Sequence, residues 1–447
     1  MFKRVLVANR GEIAVRVIRA LHELGVEAVA IYSTADRDAL HVRLADHAVC
    51  IGPPSAAESY LHIPSVVAAA ETTGCEAVHP GYGFLAENAA FVEACVSNDL
   101  VFVGPPATVM AMMGDKIAAK QAMRAADVPT VPGTESGTDL AAARAAAAEY
   151  GYPILLKASA GGGGKGMRLV RAESELEHAF RTAAAEAEAA FGDATLYVEK
   201  ALVPARHVEI QVLCDDHGDV LTLGERECSI QRRHQKLIEE SPSAALTPER
   251  REEMEAAAER ACRAVGYRNA GTFEFLLGAD GSFYFIELNA RLQVEHPVTE
   301  MCTGVDLVRE QLRIASGERL SATGRASRRG HAIEIRLNAE DPEHDFRPSP
   351  GRIALFEPPA GPGVRVDTFL ESGSVIPPFY DSMVAKIVVW DTDRAAAIAR
   401  AERALAETNV VGVPTTRDFA LEVLGSDAFR SGEYSTSTLD ALRAAVR

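Results

Sequence analysis

Positive charge is scarce in this chain: 46 Lys and Arg stand against 63 Asp and Glu, a formal net charge of -17. A general nucleic-acid or membrane-surface binder needs a net basic face, so neither role is expected. Long apolar runs are missing as well, and none reaches the 18 residues of a membrane-crossing helix. The opening MFKRVLVANRGEIAVRVI begins a strand at once, with no apolar signal segment followed by a small-residue cleavage site. Cysteine is sparse. The seven, at 50, 75, 95, 214, 228, 262 and 302, are odd in number and none has CxxC spacing. Neither a disulfide framework nor a zinc site is indicated, and reduced, mostly buried thiols in a cytoplasmic protein are expected. What remains is an ordinary globular composition, 47% hydrophobic and 24% charged over 447 residues. That length implies more than one domain.

The chain opens on a parallel α/β pattern. RVLVA at 4–8 is a short apolar run, Ile13, Val17, Leu21 and Leu24 recur at helical spacing, and a second strand follows from Val26. Further strands are predicted at 47–51, 76–79 and 100–103, giving Rossmann-like winding. The first turn, ANRGEI, has one glycine where a dinucleotide fingerprint needs three, which disfavours a nicotinamide oxidoreductase. From 115 the pattern changes to alanine-rich helices (117–126, 139–149, 173–191) around strands at 153–158, 167–170 and 195–200. Strands near 207–214, 219–224, 272–277 and 283–288 come next, and the alternation in HVEIQVL predicts half-buried antiparallel strands. An Arg- and Ser-rich stretch at 321–330 reads as a linker before a last region containing HAIEIRL, GRIALF and KIVVW.

Three segments carry chemistry. Lys157 leads into four consecutive glycines and Lys165, between two strands. Without side chains, such a loop lets backbone N–H groups approach phosphate oxygens, although a plain flexible hairpin has the same composition. It is not a Walker A loop, because no GKS or GKT follows and the loop leads to a strand. Second, Glu274 in TFEFLL faces Glu287 and Asn289 in FYFIELN, oxygen ligands of the kind Mg2+ takes. Alternate residues then continue as Arg291, Gln293 and Glu295, read as one polar strand face that needs a ligand to satisfy it. Arg291 offers a planar fork to an anion, and Glu295 beside it could remove a proton. Third, Gln231, His234 and Lys236 gather donors in QRRHQK, a segment that composition alone would leave as a solvated charge run.

These segments, in this order, resemble biotin carboxylase of the ATP-grasp family. ANRGEIA, HPGYGFLAEN, GGGGKGM, RHVEIQVL, QRRHQK, ELNARLQVEHPVTE, RLNAEDP and YDSMVAK span residues 8 to 386 and look like that family's wording. The resemblance implies an α/β ATP-grasp fold with an N-terminal Rossmann-like domain (1–114), an ATP-grasp domain (115–325) with a mobile lid subdomain at about 130–203, and a C-terminal α+β domain (331–447). It implies that Lys116 and Lys157 hold ATP phosphates under Gly163 and Gly164, and that Glu199, Lys200 and Leu202, helped by His207, meet the adenine. Gln231 and His234 would contact the nucleotide further along. Glu274, Glu287 and Asn289 would bind Mg2+ or Mn2+. Lys236, Arg291, Gln293 and Val294 would cradle bicarbonate, Glu295 would be its base, and Arg291 and Arg336 would meet biotin, Arg336 stabilising its enolate.

The implied activity is that of an ATP-dependent ligase, which carboxylates biotin through carboxyphosphate in the first half-reaction of an acyl-CoA carboxylase such as acetyl-CoA carboxylase in fatty acid biosynthesis. Biotin is normally attached to a lysine in a Met-Lys-Met type hairpin, and this chain has no Met-Lys pair. A separate biotin carboxyl carrier protein is therefore expected, or a longer acyl-CoA or pyruvate carboxylase of which this is the first part. A carboxyltransferase component and a homodimer complete the implied assembly. The rival readings are another ATP-grasp ligase, which should lack RLQVEHPVTE and RLNAEDP, and a silent ATP-binding regulator, which should have lost Glu274, Glu287, Glu295 or Lys236.

Overall fold

The computed structural model describes residues 1–134, 137–159 and 167–446. Its first sheet is parallel throughout, in the order His47–Gly52, Glu27–Ser33, Arg4–Val7, Ala77–His79, Val101–Phe102. The central strand is a continuous apolar run because helices cover both faces, and Val5, Leu6 and Val7 are fully buried. Helix Gly11–Glu23 buries Ile13, Val17 and Leu21, the residues whose spacing predicted it. The carboxyl ends of these strands put Asn9 and the 79–88 turn at one edge, where open α/β sheets bind ligands. Asn9 Nδ2 ties the two turns together, donating to the carbonyls of Pro80 and Tyr82 at 2.7 Å each. Gly81 sits under that amide at φ +62°, and a Cβ there would lie 3.0 Å from both Asn9 Nδ2 and Ile13 Cγ1.

A small antiparallel sheet follows, with Ile154–Ala158 between Met167–Val170 and Leu196–Lys200. Helices Leu140–Tyr150 and Glu173–Phe191 pack on it through Ala143, Ala147, Ala183 and Ala187, all fully buried. Small side chains there let helix and sheet approach closely.

The largest sheet runs Phe283–Asn289, Asn269–Gly278, Ala205–Cys214, Val220–Arg232, Gln235–Ser241, His331–Asn338, Met383–Asp391, Val364–Thr368. HAIEIRL and KIVVW are strands, but they continue this sheet, because His331–Asn338 pairs antiparallel with Gln235–Ser241. GRIALF yields two short strands, Gly351–Arg352 and Leu355–Glu357. The 321–330 stretch read as a linker contains Gly324–Arg325, a two-residue strand bonded to Val220–Arg232.

Two further expectations are corrected. HVEIQVL is not half-buried: Glu209 and Gln211 are as inaccessible as Val208, Ile210 and Val212. Alternation looks the same whether the polar face meets water or a buried cation, and here it meets Arg226 of the neighbouring strand. Arg226 is fully buried and donates to Glu209 Oε1 (2.5 Å), Gln211 Oε1 (2.7 Å), Thr299 Oγ1 (3.0 Å) and Thr272 Oγ1 (3.1 Å). The polar face read from 287 to 295 is not one strand either. The strand ends at Asn289, and an irregular connection carries Arg291 and Gln293 to Glu295, which precedes helix His296–Thr303. Pro297 in that helix's first turn favours its start, since proline's fixed φ suits the first helical positions.

Candidate active site

A cleft of about 1140 Å³ lies between the edge of the parallel sheet, the small sheet and one face of the large sheet. Lys236 stands at its floor. It belongs to strand Gln235–Ser241, and its ammonium bonds Glu209 Oε2 at 2.7 Å, Glu274 Oε1 at 2.9 Å and Glu295 Oε1 at 2.6 Å. Burial alone would discharge this lysine, but Glu209, Glu274 and Glu295 hold its pKa well above the ordinary value. Burial likewise pushes Glu295 up, and Lys236, Arg336 and Arg226 more than reverse it, keeping the carboxylate well below the usual range. Glu295 is therefore ionised, although it is fully withdrawn from solvent.

The chain reaches this arrangement through a tight hairpin. Strands Val220–Arg232 and Gln235–Ser241 join at a two-residue turn, Arg233 and His234, both in the left-handed region at φ +48° and +67°. Two positive φ values suit the right-handed twist of a hairpin, and non-glycine residues adopt them at some cost in strain. The turn brings Gln231, His234 and Lys236 to the cleft wall together, so the segment is no solvated charge run.

Two arginines flank the hub. Arg291 donates from Nε to Glu87 Oε2 (2.8 Å), from Nη2 to Asn289 Oδ1 (2.9 Å) and from Nη1 to Gln293 Oε1 (3.1 Å). Gln293 Nε2 in turn donates to Glu274 Oε1 at 2.9 Å. Arg336, from strand His331–Asn338, donates to Glu239 Oε1 at 2.6 Å and to Glu295 Oε2 at 2.9 Å. The carbonyl of Val294 is held by Lys386 Nζ at 2.9 Å. Arg291, Gln293, Val294, Arg336 and Lys236 thus converge on one end of the cleft, where an anion would meet several donors.

The other end is also cationic. Lys116 is the first residue of helix Lys116–Ala125, whose start is capped by Asp115 accepting from Ile117 N and Ala118 N. Burial and the neighbouring Lys157 lower the Lys116 pKa, the signature of cations awaiting an anion. Lys157 pairs with Glu199 at 2.6 Å, and Glu199 also binds Lys120. Glu199 and Lys200 end the strand Leu196–Lys200, with Lys200 Nζ turned to the carbonyls of Tyr150 and Gly151 at 2.7 and 3.3 Å. Leu202 and His207 line the cleft. Gly163 and Gly164 lie outside the described residues.

Glu274 and Glu287 face one another across adjacent strands. Repulsion from Glu274, then burial, lifts Glu287 to about 7. His207 Nε2 lies 3.0 Å from the free oxygen of Glu274. Among the described residues the buried amide nitrogen of Asn289 has no partner. Two carboxylates that cannot both ionise without a cation, with an amide oxygen two residues on, form a donor set that suits Mg2+. The inner carboxylates Glu209 and Glu295 are different, since each is already met by two cations, Lys236 with Arg226 and Lys236 with Arg336.

Several participants were not predicted. The role of Glu209, Glu239 and Arg226, which lie in the strand segments HVEIQVL, LIEES and GERECS, depends on which strands become neighbours. Glu87 lies in the quoted HPGYGFLAEN turn, 203 residues before Ala290, whose N–H it accepts at 2.9 Å. Arg10 of ANRGEIA makes a two-pronged pair with buried Asp36 at 2.7 and 2.8 Å and stacks over Tyr380 of YDSMVAK at 4.2 Å, which explains why those distant segments lie together.

Comparison with known proteins agrees with this geometry. The family described as biotin carboxylase, N-terminal domain, matches residues 1–110, and the biotin carboxylase C-terminal domain matches 334–441. The ATP binding domain of the carbamoyl-phosphate synthase L chain matches 115–323. Biotin carboxylase of a Nostoc species is 53% identical over 98% of both chains. Biotin carboxylase of Pseudomonas aeruginosa is likewise 53% identical over 98% of both. Among solved structures, a Campylobacter jejuni biotin carboxylase–nucleotide complex superposes with a TM-score of 0.96 at 46% identity, covering 99% of each chain. The biotin carboxylase domain dimer of Hydrogenobacter thermophilus 2-oxoglutarate carboxylase, bound to MgADP, ADP and bicarbonate, gives 0.95 at 47% identity over 100% and 99%. The fold is therefore ATP-grasp with a Rossmann-like first sheet, and the chain, matched from end to end in sequence and shape, belongs to the biotin carboxylase family.

Proposed function

We propose that the cleft assigns the steps of ATP-dependent biotin carboxylation to particular residues. The observation that carries this reading is the Lys236 hub, one buried ammonium shared by Glu209, Glu274 and Glu295. Bicarbonate entering beside Lys236, Arg291, Gln293 and the Val294 backbone competes for the cations that hold Glu295 acidic. Its arrival therefore raises the basicity of Glu295 at the moment a proton must be taken. The deprotonated substrate attacks the γ-phosphate of ATP, whose phosphates Lys116 and Lys157 neutralise. Glu199, Lys200, Leu202 and His207 border the base, and Gln231 and His234 the rest of the nucleotide. Glu274, Glu287 and Asn289 would hold Mg2+ (or Mn2+), which when bound neutralises phosphate charge. Carboxyphosphate breaks to CO2 and phosphate, phosphate takes the N1 proton of biotin, and Arg336, with Arg291, stabilises the ureido oxyanion. Closure over the cleft keeps water from the intermediate.

The same reading takes residues 1–114, 115–325 (lid about 130–203) and 331–447 as the working domains. Biotin would arrive on a separate carrier protein for use by a carboxyltransferase, the chain acting as a homodimer in the cytoplasm in an acyl-CoA carboxylase. Among the described residues no helix is long and apolar enough to cross a membrane. The test is ADP release with Mg-ATP and bicarbonate, with and without free biotin. Stimulation by biotin that also requires bicarbonate is expected. ATP cleavage indifferent to both would overturn the reading.

A further inference from the structure

Arg336 is gripped from behind by a carboxylate to which no step of the reaction has been given. Glu239, fully buried, lies three residues past Lys236 on the same strand and accepts from Arg336 Nε at 2.6 Å. Arg336 Nη2 lies 2.6 Å from Glu239 and donates to Glu295 at 2.9 Å, while Nη1 has no protein partner among the described residues. One edge of the guanidinium is thus anchored, and the remaining donors belong to the cleft that Arg336 lines. Behind the anchor, Glu334 stands opposite Glu239 in the strand register, fully buried, with neither carboxyl oxygen bonded among the described residues. The second oxygen of Glu239 is unbonded as well. Burial, reinforced by the opposing Glu239 charge, raises the Glu334 pKa, and burial also lifts Glu239, to about 7, against the pull of Arg336. Of the two, Glu239 is the one bonded to a guanidinium, so it is the member of the pair that serves Arg336.

We infer that Glu239 is a positioning residue for the biotin half of the reaction, fixing the Arg336 guanidinium so that its free edge meets the ureido oxygen. The inference rests on the proposed function. When Glu295 takes the proton of bicarbonate, its hold on Arg336 weakens, and Glu239 alone keeps the arginine from swinging away. A lysine could not be held in this manner, since the grip uses two nitrogens of a planar fork.

The test compares Glu239→Gln with Glu334→Gln, each checked by thermal melting, for ADP release with bicarbonate in the presence and absence of free biotin. Glu239→Gln keeps shape and one acceptor but removes the charge. Its ratio of biotin-dependent to biotin-independent turnover should fall by about tenfold, with the loss in kcat at saturating biotin rather than in the KM for ATP. Glu334→Gln should leave that ratio within about twofold of wild type. If Glu239→Asp, which restores the charge on a shorter arm, recovers part of the ratio, the positioning role is supported. Equal loss of both activities in Glu239→Gln, or an unchanged ratio, overturns it. A wild-type chain that ignores biotin overturns the functional reading and this inference together, and that failure is visible before any variant is compared.

Discussion

Glu295 and Lys236 meet at 2.6 Å, and the same carboxylate reaches Arg336 at 2.9 Å through its other oxygen, so both lone-pair edges of a fully buried group are occupied by cations. A base in this state is poor until a second anion shares those cations. On the proposed reading, the activity of Glu295 is thereby made conditional on its substrate, and an idle proton transfer is suppressed.

Glu295→Ala should lower kcat for bicarbonate-dependent ADP release by at least about a hundredfold, the usual scale for a lost general base. Nucleotide affinity, measured by titration calorimetry, should change by less than about threefold, because Glu295 lies at the anion end of the cleft. Near-normal turnover would remove Glu295 from the role of base.

Lys236→Met leaves Glu209, Glu274 and Glu295 without their shared ammonium. Breaking buried ion pairs from one side typically costs about 3 kcal/mol or more. Urea unfolding should show that loss, and combining the change with Glu295→Gln should recover part of it. An unaltered midpoint would mean that water already screens the hub.

Lys116→Ala and Lys157→Ala should each raise the KM for ATP by roughly tenfold or more while leaving bicarbonate dependence in place. Lys157 has a second partner in Glu199, so its removal should also loosen the small sheet, seen as faster hydrogen exchange in strand Leu196–Lys200. If neither lysine affects ATP, the phosphate end has been assigned to the wrong part of the cleft.

Two buried histidines should contribute to stability in a pH-dependent way. Burial lowers the pKa of His41 to about 4 and of His79 to about 3, with nearby Asp36 only partly opposing it at His41. Both are neutral in the native protein, whereas an unfolded imidazole titrates near 6.5. Between those values each of these imidazoles binds more protons in the unfolded chain, so the histidines' contribution to stability is lost as pH drops from about 6.5 toward 4, while a raised carboxylate such as Glu287 contributes with the opposite sign. His41 alone accounts for about 3 kcal/mol over that range. Urea unfolding at several pH values should show a shallower decline in His41→Gln than in wild type. Parallel curves would contradict it.

Much of the architecture could be read before any coordinates. Strands with β-rich runs and helices with spaced apolar residues fell within a few residues of their places; helix Glu173–Phe191 and strand Met167–Val170 were predicted end to end. Strand Gln235–Ser241 was missed because its leading half is polar, and that polarity makes sense only once three carboxylates surround Lys236. Helix Pro248–Val265 was missed despite a Thr247 cap and a proline at its start, signals that could have found it. Period-two alternation gave the wrong burial for Glu209 and Gln211, since spacing cannot distinguish water from a buried guanidinium. The chemistry of Glu274, Glu287, Lys236, Arg291 and Glu295 was legible as residue types; their convergence depended on strand order, which is non-local.

The pairing of Gln235–Ser241 with His331–Asn338 has a consequence for how this protein can be taken apart. A cut near residue 325 would pass through the middle of a sheet. It would separate Arg336 from Glu295 and Glu239 and open a long unpaired strand edge on both fragments, inviting self-association. Recombining this chain with a relative therefore works best with the seam placed elsewhere, in surface loops that no strand pair crosses.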